Sequence, residues 1–197
     1  MFYKFVRALA RAVFLLLGLK SEGIHKLPDK GPVIVAANHV SNWDAIMVAI
    51  SLPRPVHFIA KAELFENRFL ARLVKALHAF PVKRGAADRR ALRYALGVLE
   101  KGEVLGIFPE GERIRMGQEG STQTGVAMLA LKSGAPVVPV ACIGTERFFP
   151  VGWFTPLKVK VGKPLILGEY HDQKVTSAIL EEVSTIIMRE IESLLSK

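Results

Sequence analysis

His39 is the residue of this chain whose setting suits it best for chemistry. It lies in Asn38-His39-Val40-Ser41-Asn42-Trp43-Asp44, with a carboxylate five residues on. The run before it, Val33 to Ala37, is short, apolar and β-branched and follows Gly31-Pro32, so it reads as a buried strand. Asp44 stands near the start of a short helix, Asp44 to Ser51, which Pro53 ends. A carboxylate is favoured there by the unpaired N–H groups and the dipole. A turn of this length can fold Asp44 back onto the imidazole. The carboxylate then accepts the Nδ1–H and fixes the tautomer, leaving Nε2 as a proton acceptor, the logic of a His–Asp base. The plainer reading is that Asp44 only caps its helix and His39 is a satisfied loop histidine. Spacing alone does not separate the two.

A second segment is Phe108-Pro109-Glu110-Gly111-Glu112-Arg113, which leaves an expected strand, Val104 to Phe108. Pro109 stops the ladder and Gly111 permits a tight turn, so Glu110 and Arg113 are presented at a strand end. Arg113 offers a planar fork of donors suited to phosphate oxygens. Glu110 can orient an arginine or a substrate hydroxyl. The alternative is a surface turn carrying a Glu–Arg ion pair.

Both segments need a frame. Strands are expected at 33–37, 56–60, 80–83, 104–108, 137–143 and 157–161. Helices are expected at 44–51, 64–78, 88–101, 122–133 and 173–195, the third and fourth closed by Gly102 and Gly134. This alternation implies an α/β layered fold with a largely parallel or mixed central sheet flanked by helices. Sites in such folds gather where loops leave the carboxyl ends of strands, and both segments occupy that position.

The first twenty residues stand apart. Phe2 to Leu19 is mostly apolar but is interrupted by Lys4, Arg7 and Arg11, and its longest unbroken apolar run falls far short of the roughly 20 residues of a spanning helix. The charges are interleaved rather than grouped ahead of a cleavage site, unlike a signal peptide. At i, i+3 and i+7 the three cations share a helical face. The segment 1–20 reads as an amphipathic helix lying in a bilayer interface, basic side toward the headgroups, ahead of a catalytic domain at 21–197. The competing reading packs it on the protein's own core. A net charge of +9 calls for a polyanionic partner: nucleic acid, anionic membrane lipids or a phosphorylated cofactor. The single cysteine, Cys142, excludes an intrachain disulfide and a cysteine zinc site.

Taken together, the two segments resemble the glycerolipid acyltransferase family, which includes bacterial 1-acylglycerol-3-phosphate acyltransferases. NHVSNWD matches the family's NHxxxxD block, and FPEGER is similar to its FPEGTRS block. Lys61-Ala62-Glu63-Leu64-Phe65 followed by Phe80-Pro81-Val82-Lys83-Arg84-Gly85 resembles the intervening block, and Val137-Val138-Pro139-Val140 the late apolar one. Order and spacing agree over about residues 25 to 167. Glu112 and Ile114 depart from the FPEGTRS block, Gln123-Thr124 replaces a basic residue ahead of Gly125, and Ala71 and Ala76 stand near where the family carries glycines. Glu112 adds negative charge beside the expected phosphate site, which bears on the acceptor.

The resemblance implies transfer of a fatty acyl group from acyl-CoA or acyl carrier protein to the free hydroxyl of a lysophospholipid, foremost 1-acylglycerol-3-phosphate. Another lysolipid acceptor is the alternative. His39 is then the base and Asp44 its partner. Lys61, Arg84 and Arg113 are candidates for the acceptor phosphate, Glu110 for substrate binding, and the Gly111 turn for N–H donors to the carbonyl oxygen. Cys142 falls in an expected buried strand, unsuited to a nucleophile. No metal or cofactor is expected beyond the acyl donor. The expected location is peripheral, on the cytoplasmic face of the cell membrane. Arg147 to Phe154 holds four aromatics suited to dipping into lipid, walling an acyl tunnel or covering the sheet edge.

Three other classes compete. A nucleic-acid-binding protein would explain the charge, yet the basic residues are scattered and no helix-turn-helix, aromatic sheet motif or zinc spacing is present, so no nucleic-acid partner is expected. A non-catalytic membrane-binding protein has no use for His39 and Asp44 together. A hydrolase would turn the same pair on water.

Overall fold

The strand that precedes His39 forms where its composition places it. A computed structural model describes residues 2–66, 68, 71, 72, 74, 78–82, 89–110, 124–147, 156–170 and 173–196. In it β2 spans Val33–Ala37, and all five residues are buried. A strand buried on both faces must lie inside a sheet covered on both sides. It does: among the described residues, seven strands run in the order β1-β7-β6-β2-β5-β3-β4, with β2 at the centre. The others are β1 (Lys20–Glu22), β3 (Val56–Lys61), β4 (Ala79–Val82), β5 (Val104–Ile107), β6 (Val137–Ile143) and β7 (Lys158–Val161). Neighbours are parallel except β6 and β7, which are antiparallel. The sheet is therefore mixed, as the alternation implies.

Helices flank it, and among the described residues five have fixed limits: α1 (Phe2–Leu16), α2 (Trp43–Ser51), α3 (Arg89–Glu100), α4 (Gly125–Ser133) and α5 (Ser177–Leu195). On one face, Val33, Val35 and Ala37 of β2 meet Met47, Val48 and Leu52 around α2 and Phe14 of α1. On the other, Ile34 and Ala36 meet Ala95 and Leu99 of α3, Val126 of α4 and Ile187 of α5. Each fully buried Val or Leu contributes on the order of 1.5–3 kcal/mol. The segment that ends in His39 is thus anchored from both sides.

α1 is two-faced. Phe14 is buried, and Arg7 turns inward rather than toward the headgroups as expected from its spacing with Lys4 and Arg11. Its Nε donates to Ala49 O at 2.9 Å, Nη1 reaches Pro53 O at 3.4 Å and Nη2 donates to Leu52 O. A guanidinium thus satisfies the orphan carbonyls at the carboxyl end of α2. Arg11 is exposed. The face turned away from α2 is apolar: Phe5, Leu9, Val13, Leu15 and Leu16 are all exposed, Leu16 at 88%. A contiguous apolar face of this kind marks an interaction surface. Among the described residues, no helix is long and apolar enough to cross a membrane.

Other expectations shifted at their edges. The helix expected at 64–78 starts later, because Ala62–Phe65 is a 3₁₀ turn, and His78 at its end has a left-handed φ of 59°. Of the stretch between, Arg68, Ala71, Arg72 and Val74 are helical, while Phe69, Leu73 and Leu77 lie outside the described residues. The last helix begins at Ser177 rather than Gln173, with Thr176 accepting from Ile179 N–H as its cap. β1, a polar three-residue edge strand, carries no period-2 pattern and was not foreseen.

Candidate active site

The loop after β2 is held by side chains on three neighbouring segments. Asn38 is buried at 5% exposure. Its Nδ2 donates to Cys142 O at 3.0 Å, and its Oδ1 accepts from Cys142 N–H at 2.7 Å. The amide thereby continues the pairing of β2 with β6 past Ala37 and Val140. The backbone is freed to turn at the next residue, His39.

Asp44, the second residue of α2, is fully buried. Its Oδ2 lies 3.1 Å from His39 Nδ1 and accepts from Val40 N–H at 2.8 Å and Ser41 N–H at 2.7 Å. These donors belong to the loop, so Asp44 organises the loop rather than only capping its own helix. An uncompensated buried carboxylate costs several kcal/mol, and hydrogen bonds to charged groups return roughly 1.5–3 kcal/mol each. Removing any one donor would therefore be felt. Oδ1 is buried with no hydrogen-bond partner, so these three bonds all fall on the oxygen that faces His39. An imidazole beside a carboxylate at Nδ1 carries its proton there and keeps Nε2 for accepting one.

Two further contacts fix His39. Its backbone N–H donates to Glu110 Oε2 at 2.8 Å. Its ring stacks on Phe108, with centroids 4.0 Å apart and planes 18° from parallel. Phe108 is backed in turn by Phe58, nearly parallel at 5.8 Å. Gly106 makes room for this stack: a Cβ there would collide with the Phe58 ring. Burial lifts the Glu110 carboxyl above its usual range; the His39 N–H and imidazole pull it down, and the Asp44 charge adds to the rise. Cys142 is fully buried, and burial followed by the nearby Asp44 charge pushes its thiol well above the usual range, so it supplies no thiolate.

Of the residues singled out from the sequence, His39, Asp44 and Glu110 are brought together at the carboxyl end of the sheet. Lys61 ends β3 at that same end, paired with Val82, but its side chain lies outside the described part. Arg84, Gly111 and Arg113, and the aromatics at 148–154, also lie outside the described residues. Asn38 and Phe108 were missed as supports. Only their places directly before His39 and Pro109 hinted at them. Among the described residues, no group of three or more His, Cys, Asp or Glu is placed to hold a metal ion.

A mixed, largely parallel sheet thus carries at its carboxyl end a histidine whose Nδ1 lies 3.1 Å from a buried carboxylate, a pairing suited to acid–base chemistry. A family model described as acyltransferase matches residues 18–143, and the chain belongs to that acyltransferase family. It is 30% identical over 203 aligned positions to the 1-acyl-sn-glycerol-3-phosphate acyltransferase of Bacillus subtilis (strain 168), covering 99% of both chains. Identity to the protein of the same name from Borreliella burgdorferi is 28%, over 90% of this chain and 76% of that one. The crystal structure of the 1-acyl-sn-glycerophosphate (LPA) acyltransferase of Thermotoga maritima superposes with a TM-score of 0.72 at 27% identity, covering 99% of this chain and 81% of that one.

If Asp44 sets the tautomer, Asp44→Asn keeps the shape of the side chain but removes the charge that faces Nδ1. The expected result is a fall in acyl-transfer kcat of about 10³–10⁴-fold with an unchanged circular dichroism spectrum. A fall below tenfold would reduce Asp44 to an organiser of the loop.

Proposed function

We propose that this enzyme transfers a fatty acyl group from a thioester, acyl-CoA or acyl carrier protein, to the free hydroxyl of 1-acylglycerol-3-phosphate, giving phosphatidic acid. The observation that carries the reading is the His39–Asp44 contact at 3.1 Å, in a chain whose relatives include several named for that acceptor. The acceptor hydroxyl is far too weakly acidic to lose its proton unaided, so it needs a base held beside it. Nε2 of His39 takes the proton as the oxygen attacks the thioester carbonyl carbon. The C–O bond forms, the carbonyl electron pair moves to oxygen, and the intermediate collapses by breaking the C–S bond. The imidazolium returns its proton to the departing sulfur. Asp44 stabilises the imidazolium meanwhile, and Phe108 keeps its plane fixed. No acyl-enzyme is needed, in keeping with the buried Cys142.

Glu110 holds the His39 backbone in this scheme. Arg113, with Lys61 and Arg84, binds the acceptor phosphate, where bidentate pairing suits an arginine. The role of N–H donor to the developing oxyanion falls to the Gly111 segment. The exposed apolar face of α1, Phe5, Leu9 and Leu16, seats the protein on the membrane surface that holds its lipid substrate, at the cytoplasmic side. The positive net charge adds attraction to anionic lipids.

His39→Ala is expected to abolish acyl transfer to 1-acylglycerol-3-phosphate in purified protein, below 10⁻³ of wild type, with unchanged melting temperature and vesicle binding. Near wild-type turnover would sink the mechanism. Leu9→Glu is expected to weaken sedimentation with phosphatidylglycerol vesicles at least tenfold while turnover on detergent-dispersed substrate stays within threefold. Undiminished vesicle binding would remove α1 as the membrane seat.

A further inference from the structure

The His39 imidazole is met from two directions that differ in kind. Asp44 reaches it at the ring edge, with Oδ2 3.1 Å from Nδ1. Phe108 lies over a ring face, with centroids 4.0 Å apart and planes 18° from parallel. Phe58 stands nearly parallel behind Phe108, at 5.8 Å and 15°. Three rings thus form one column, from β3 past the end of β5 to the loop after β2. The face of a phenyl ring carries the negative part of its quadrupole, so it attracts a cation more strongly than a neutral ring.

Two features separate this column from ordinary core packing. The first is what the sheet gives up for it. β5 carries Val104, Leu105 and Ile107, but Gly106 is bare. A Cβ there would lie 2.7 Å from Phe58 Cδ1 and 2.8 Å from Val56 Cγ1. Glycine inside a strand weakens it and marks a close approach. Aliphatic side chains fill the rest of this face, Val33, Val35 and Val56 among them, so apolar filling alone does not call for two rings. The second feature is dryness. Phe58 is 6% exposed and the His39 side chain 12%. Water screens a charge poorly in such a place, and cation–π attraction grows with desolvation.

The charge concerned is transient. In the reaction proposed above, the imidazole is neutral when the acceptor binds and cationic once it holds the hydroxyl proton. That imidazolium lies between two barriers, attack on the carbonyl and departure of the sulfur. A group that favours the cation over the neutral ring lowers both, and it does so without tightening the binding of either substrate.

We propose that the face of Phe108, backed by Phe58, stabilises the His39 imidazolium during acyl transfer, a charge role beyond holding the ring in plane. This rests on the acyl-transfer reading above and adds a residue that acts through the base. Full-length protein carrying 4-fluoro-, 3,5-difluoro- or 3,4,5-trifluorophenylalanine at position 108 tests it, because fluorine drains the ring face while changing its shape little. Turnover is measured with palmitoyl-CoA and 1-acylglycerol-3-phosphate. Expected is a kcat that falls stepwise with each fluorine, to about tenfold below wild type for the trifluoro ring, with both KM values within about twofold. Phe108→Tyr, which keeps the electron-rich face, should stay within about threefold of wild type, and Phe108→Leu, which removes the face, should fall at least as far as the trifluoro ring. A flat kcat across the fluorinated series overturns the proposal, and so does a loss that appears in KM instead. Failure of the underlying reading looks different: His39→Ala would then keep its turnover. A flat series beside an inactive His39→Ala leaves the base in place and removes only the charge role of Phe108.

Discussion

The structure depends on one buried carboxylate oxygen. Asp44 Oδ2 gathers His39 Nδ1 and the N–H groups of Val40 and Ser41 within 3.1 Å, with no exposure to water. In water such contacts would be nearly neutral exchanges; buried, each is expensive to lose. The loop after β2 is therefore held in the conformation that sets His39 Nδ1 against Asp44. Asn38, Glu110 and Phe108 act in the same direction from β6, β5 and the stack over Gly106. A histidine held from four directions is ordered by folding, the preorganisation that the proposed base role requires.

The fold serves this arrangement. Parallel strands bring the ends of β2, β3 and β5 to one edge, so residues distant in sequence meet there without a dedicated scaffold. The opposite faces of the sheet divide the remaining work. One carries α2 with Asp44 and, strapped across it by Arg7, the helix whose apolar side is exposed. The other carries α3, α4 and α5 over a continuous apolar layer.

Much of this was legible in the residues. Val33–Ala37 and Val137–Ile143 are dense, β-branched and bounded by turn residues, and both strands have the expected limits. The His39–Asp44 contact was readable because it is local, closed by one turn. What was not readable depends on long-range geometry. Glu110 meets His39 across 71 residues, and nothing in FPEGER says that its carboxylate takes a backbone N–H. The ring stack needs β3 and β5 side by side and a glycine between. Arg7 looked like a headgroup contact because its spacing is amphipathic, yet the nearest unsatisfied acceptors were the terminal carbonyls of α2. β1 is three polar residues whose only reason to be a strand is the edge offered by β7.

The central claim is that Asp44 locks His39 with its proton on Nδ1. It is tested most directly by ¹⁵N-resolved imidazole NMR of the full-length protein at alkaline pH, with the His39 signals assigned from their absence in His39→Gln. The account predicts a single tautomer, Nδ1 protonated and Nε2 bare. A spectrum dominated by the Nε2–H form, or an even mixture of the two, would contradict it.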